Sequence, residues 1–126
     1  MRPGTLREVA MRTAQGDSFD RGLANFLDGF YAAPNAGALT ESPPLLATSS
    51  GDLGHVQDAY LAAAAVELSR HLGISWPSWT IGEARSLRRP WFATTLASLR
   101  AVLLLESPAG FRERNLFVSA NALSRA

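Results

Sequence analysis

The amino-acid sequence predicts an all-α fold: an irregular bundle of four main helices with two or three short ones, forming a single domain over residues 1–126. Three observations carry this. Every long apolar pattern repeats at helical spacing, no alternation of strand period runs beyond three residues, and capping residues stand where the patterns start and stop. A chain of this length buries roughly two thirds of its unfolded surface on folding, so one core can sustain it. With 47% hydrophobic and 18% charged residues, it lies far from the composition of a disordered chain.

Thr5-Leu6-Arg7-Glu8 is a capping box, in which the threonine accepts from the Glu8 amide while Glu8 reaches back. It predicts a first helix from about Leu6 to Gln15, ended by Gly16. Asp17 or Ser18 then caps a second helix, whose Phe19, Leu23, Phe26, Leu27, Phe30 and Tyr31 make one buried stripe up to Pro34. Residues 34–51 are rich in Pro, Asn, Gly, Ser and Thr; they predict a long connection with one helical turn, pinned to the core by Leu45 and Leu46. From Asp52 the run Leu53, Val56, Tyr60, Leu61, Ala64, Leu68, His71, Leu72 predicts a third helix closed by Gly73. Its alanines, Ala62 to Ala65, leave room for a neighbouring helix to approach closely.

Ile74 to Phe92 has no sustained period and predicts a structured loop with one short helix near Ile81 to Leu87. A fourth long helix is predicted from about Pro90 to Glu106. Phe92, Leu96, Leu99, Val102, Leu103 and Leu105 surround it, the mark of the most buried element. Ser107-Pro108 predicts an N-cap with proline at the first helical position, opening a short segment that ends near Asn115. Leu116-Phe117-Val118 is too apolar for a solvated tail, and Ser119 opens a last short helical pattern.

The absence of cysteine removes disulfides, thiolate catalysis and every cysteine-containing zinc pattern. The N-terminus lacks the apolar core of a secretion signal and no run is long enough to span a membrane, which together predict a cytoplasmic protein. All twelve basic residues are arginine and are unevenly placed. Residues 1–72 hold five against eight acidic residues, or −3; residues 73–126 hold seven against three, or +4. That asymmetry suits docking onto an oppositely charged protein surface, whereas direct nucleic-acid binding calls for a more basic domain.

His55 and His71 stand sixteen residues, or about 24 Å, apart along one helix and cannot share an ion. No serine stands in a nucleophile elbow and no glycine-rich phosphate loop occurs. The residues therefore predict no catalytic site, no cofactor and no metal. Trp76, Trp79 and Trp91 read chiefly as plugs at the end of the bundle, with the indole N–H reaching a loop carbonyl. Trp79, Trp91 or Phe92, partly exposed beside Arg88 and Arg89, would alternatively make the aromatic and arginine cluster of a binding hot spot. Arg112, Arg114 and Asn115 divide the same way, between a clamp on carboxylates or helix-end carbonyls and a contact to an anion or partner.

The run from Phe111 to Ala126, read with Pro90-Trp91-Phe92 and Glu106-Ser107-Pro108, resembles a family of small, largely uncharacterised helical proteins of high-GC bacteria. Some of that family are encoded beside, or fused to, helix-turn-helix regulators. The resemblance implies a regulatory role and a partner from a neighbouring gene, a regulator or a toxin-antitoxin-like protein. The expectation is thus a non-enzymatic interaction protein with a protein partner, a homo-oligomer being compatible with it. Its partner surface would be built from Arg85, Arg88, Arg89, Trp91, Phe92, Arg112 and Arg114. The alternative is a small enzyme or ligand-binding domain, with a pocket between the second helix and the arginine-rich C-terminal half using Asp28, His71 or Arg114.

Overall fold

Thr5 starts α1 (Leu6–Ala14) as its side chain requires, its hydroxyl accepting from the Glu8 amide at 3.0 Å. The return half of the box does not form: the Glu8 carboxylate pairs with Arg12 one turn on, a charged donor outcompeting a neutral amide. Ser18 caps α2 (Phe19–Ala32), accepting from the Arg21 amide at 3.2 Å. The predicted stripe is buried from Phe19 to Phe30, with Tyr31 at its edge. The structure, a computed structural model, describes residues 2–125.

The connection holds the one expected turn, α3 (Gly37–Thr40). Leu46 pins it as predicted, but Leu45 is exposed and Leu39 takes the second anchoring place. α4 (Ala47–Leu72) starts earlier than Asp52 because a first turn precedes a break at Gly51 (φ 58°, ψ −132°), a conformation that suits glycine. Past the break, the helix brings Gly54 against the Leu46 carbonyl, where a Cβ would stand 2.2 Å from the oxygen. Buried Asp58 ties this crossing, its carboxylate accepting from the Leu46 amide at 2.7 Å and the Ala47 amide at 3.1 Å. Leu53, predicted to face the core, is exposed. Ala62 to Ala65 are fully buried, and Gly73, at φ 69°, closes the helix as predicted.

α4 is the spine on which the other elements gather. In the loop after it, the single short helix expected near Ile81 to Leu87 is replaced by two 3-10 turns, Ser78–Ile81 and Glu83–Arg85.

The larger departure follows. No helix starts at Pro90; Trp91–Phe92 (β1) instead pairs in parallel with Leu116–Phe117 (β2), Trp91 opposite Leu116 and Phe92 opposite Phe117. Two residues are too few to show an alternation, and the pairing is long-range, so neither local signal existed. The amides of Leu87, Trp91 and Ala93 donate to the carbonyls of Arg114, Asn115 and Phe117 at 3.1, 2.8 and 2.9 Å.

The fourth long helix is only α5 (Ala97–Glu106), and far from being the most buried element it has a single buried residue, Leu103. Ser107 does not cap α6 (Ala109–Arg112). Its Oγ lies 2.6 Å from the Leu103 carbonyl oxygen and accepts from the Val118 amide at 2.8 Å, joining α5 to the C-terminal segment. Pro108 stands in the cap position, and the Glu67 carboxylate serves the helix start by accepting from the Gly110 amide at 3.0 Å. Phe111, Leu116, Phe117 and Val118 are buried, so this segment belongs to the core. From Ser119 the predicted helical pattern gives only turns, held to α2 by Tyr31 Oη donating to the Leu123 carbonyl at 3.0 Å and by Arg125 on Asp28 at 2.8 Å.

Candidate interaction surface

The seven arginine and aromatic positions singled out from the sequence divide into three groups. Arg85 and Arg114 are interior. Arg85, 4% exposed, donates to the carbonyls of Pro43 at 2.6 Å and Asp58 at 3.3 Å, and stands 3.8 Å from the Asp58 carboxylate. It lies 4.8 Å from the Trp79 ring centre, and the Trp79 indole donates to the Leu39 carbonyl at 3.0 Å, the plug expected of that residue. Burial pulls the Arg85 pKa below its ordinary value, with the Asp58 charge opposing. Arg114 donates to the carbonyls of Gly110 at 2.8 Å and Thr80 at 2.9 Å, while Asn115, at φ 61°, donates to the Leu87 carbonyl at 2.7 Å. Arg114 and Asn115 thus act as the expected C-terminal clamp, a fork geometry in which one guanidinium satisfies several backbone oxygens, whereas Arg112, expected beside them, is exposed and outside it.

Arg88, Arg89 and Arg112 form the second group: they are exposed and make no ion pair among the described residues. Trp91 and Phe92 are the third, lying at the margin between core and solvent. Phe92 stacks on Phe117 with ring centres 5.0 Å apart, and the Arg100 guanidinium of α5 lies over its ring at 5.2 Å from the centre. Trp76, by contrast, is exposed away from any plug.

Beside this margin runs α5. Its Leu103 points inward, whereas Leu96, Leu99, Val102, Leu104 and Leu105 are exposed, Leu105 to 84%. A helix that is apolar all round is ordinarily buried. Here the single chain covers only Leu103 and leaves the other large apolar side chains of this segment exposed. Patches of this kind mark interaction sites, since scattered single leucines would need no explanation but a contiguous run does. The sequence carried the signal in the absence of any polar face on this run, which reads equally as burial in the chain's own core or under another molecule.

A groove of about 560 Å³ opens between α2, α4, β1 and the C-terminal segment. Phe19, Leu23, Val56 and Tyr60 form its floor and walls, with the exposed Leu53 and Trp91 at the rim. The Oε1 atom of Gln57, also lining it, is buried without a hydrogen-bond partner among the described residues. Burial, assisted by the Asp20 charge, pushes the Tyr60 phenol up to about 12.

The groove lies where the alternative pocket was expected but is not made from the residues expected to serve it. Asp28 is engaged with Arg125, Arg114 holds carbonyls, and His71 sits in a separate recess with Tyr31 and Glu67, edge-on to the Tyr31 ring at 5.9 Å. His55 Nε2 lies 3.1 Å from the Ser86 carbonyl oxygen. Among the described residues, no group of three or more His, Asp or Glu is placed to hold a metal ion, and no helix is long and apolar enough to cross a membrane. No family model, curated protein or solved structure matches the chain.

Proposed function

We propose that the chain is a non-enzymatic interaction or regulatory module that binds another protein through α5 and the arginine-bearing loop before it. The carrying observation is the exposure of Leu96, Leu99, Val102, Leu104 and Leu105 along one helix. Fully burying such a side chain contributes about 1.5–3 kcal/mol, so even partial cover of this face supplies the energy of a specific complex. Arg88, Arg89 and Arg112, which make no ion pair among the described residues, add charge-assisted hydrogen bonds to an acidic border on the partner. Trp91 and Phe92 add aromatic area at the edge; Arg85 and Arg114 act behind the surface by holding its backbone. The resemblance to high-GC bacterial proteins encoded beside helix-turn-helix regulators supports a partner from a neighbouring gene.

Arg88→Ala combined with Arg89→Ala tests this reading. The double variant should bind the partner at least about 10-fold more weakly and melt within a few degrees of the parent, because both side chains are exposed. Normal binding would place the surface elsewhere. A second reading, a small ligand-binding domain, has the groove in its favour, whose volume is that of small-molecule sites. A small molecule retained through purification and identified by mass spectrometry would support it.

A further inference from the structure

We infer that the groove beside β1 is a binding site for a small apolar amine, whose protonated nitrogen pairs with Asp20 while its hydrocarbon body lies against Phe19, Val56 and Trp91. The site rests on the ligand-binding reading of the groove and leaves the α5 face to a protein partner. Its walls decide the body of the ligand. Phe19, Leu23 and Val56 offer carbon surface, and the exposed Leu53 and Trp91 stand at the rim. A volume of about 560 Å³ lies within the range of small-molecule sites.

The charges of the lining itself decide the head group. Asp20 and Arg125 are the acidic and basic residues that line the groove. Arg125 is already engaged: its guanidinium donates to the Asp28 carboxylate at 2.8 and 3.4 Å, so its charge is balanced. Asp20, in the first turn of α2, is exposed and makes no ion pair among the described residues. The uncompensated charge of the lining is therefore negative. That carboxylate stands close enough to Tyr60 to add to the rise of its phenol, behind the larger effect of burial. Packing fixes the Tyr60 ring, which lies edge-on to Phe111 and Phe19 with centres 4.8 and 6.1 Å apart. Its hydroxyl makes no hydrogen bond among the described residues, so the oxygen of this neutral phenol can accept from an ammonium N–H. The indole of Trp91 at the rim adds a ring face that attracts a cation. An anionic ligand meets no unengaged cation in this lining, and a metal ion meets one carboxylate.

The test titrates the full-length chain at neutral pH with phenylbutylamine, phenylbutanol and phenylpentanoate, which share one body and carry a positive, a neutral and a negative head. Amide and indole NMR resonances report both affinity and place. The amine should bind at least about 10-fold more tightly than the alcohol, the margin of a charge-assisted hydrogen bond, with the carboxylate weakest. Its shifts should centre on Asp20, Tyr60 and the Trp91 indole. Asp20→Asn changes an exposed side chain outside the Ser18 cap, so it should keep the parent's melting temperature within a few degrees. It should erase most of the amine's margin and leave the affinity for the alcohol within about 2-fold, since the apolar walls are untouched. If that variant loses its fold, Leu53→Arg takes its place, setting a positive charge at the rim from an exposed position. An amine no tighter than the alcohol, a margin that survives these variants, or shifts that centre on α5 overturns the amine assignment. Binding of the alcohol in the groove would still uphold a ligand site there, whereas failure of all three probes to bind overturns the site and the ligand-binding reading together.

Discussion

Replacing Asp58 by alanine should be among the most damaging single changes in this protein. The carboxylate is fully buried and accepts from the Leu46 amide at 2.7 Å and the Ala47 amide at 3.1 Å, with the Arg85 guanidinium 3.8 Å away. Leu46 is itself buried, so its amide loses an acceptor with no water to replace it, at about 1–3 kcal/mol. Arg85 loses its carboxylate but keeps the Pro43 carbonyl and the Trp79 face, which limits its share of the loss. Breaking a buried pair from one side costs about 3–5 kcal/mol in all. For a chain of this length each kcal/mol lowers the melting temperature by about 4 °C, giving a drop of about 12–20 °C for Asp58→Ala. Asp58→Asn, which keeps one acceptor for the Leu46 amide, should fall between. Thermal unfolding followed by circular dichroism reads both, and an alanine variant melting within about 3 °C of the parent would refute the view that Asp58 ties the α3–α4 connection to the core.

Two further outcomes follow from the buried segments. Deleting residues 111–126 removes Phe111, Leu116, Phe117 and Val118 from the core, each worth about 1.5–3 kcal/mol against a total stability of about 5–15 kcal/mol; the truncated chain should show no cooperative melt, and an unchanged transition would show the segment to be an appendage. Tyr60 is held neutral by burial and ionises at about 12, above the ordinary value of about 10. A phenol whose folded pKa is raised contributes stability that is whole below pH 10 and is lost as pH climbs toward 12. Denaturant midpoints should therefore decline over that window and decline less in Tyr60→Phe, while absorbance at alkaline pH should show neither tyrosine ionising at its ordinary value, since burial also raises Tyr31.

The features legible in the sequence were those decided within a few residues. Thr5, Ser18 and Gly73 mark helix ends because a cap acts on the nearest amides or carbonyls, and the α2 stripe reads cleanly because burial repeats every turn. What was misread depends on partners far away in the chain. The β1–β2 pair joins residues some 25 positions apart, and the start of α4 at Ala47 rather than Asp52 depends on the backbone break at Gly51. Arginine in a clamp and arginine on a docking surface are the same letter. Only the carbonyls around Arg85 and Arg114, and the solvent around Arg88, Arg89 and Arg112, separate the two uses. The α5 segment was found as a helix but placed in the wrong environment, because all-round hydrophobicity says that something covers the helix without saying that the cover is the same chain.

That cover is the central claim, and affinity on α5 variants measures it most directly. Leu99→Ser with Leu105→Ser changes two exposed side chains, so the variant should melt within a few degrees of the parent or above it. Against a partner captured from the native host with the adjacent genes intact, then purified, titration calorimetry should give a defined stoichiometry with the parent chain. Loss of two central apolar contacts commonly costs about 2 kcal/mol or more, so the folded variant should bind about 30-fold more weakly. Equal affinity of parent and variant for that partner would contradict the assignment of α5 as the docking surface.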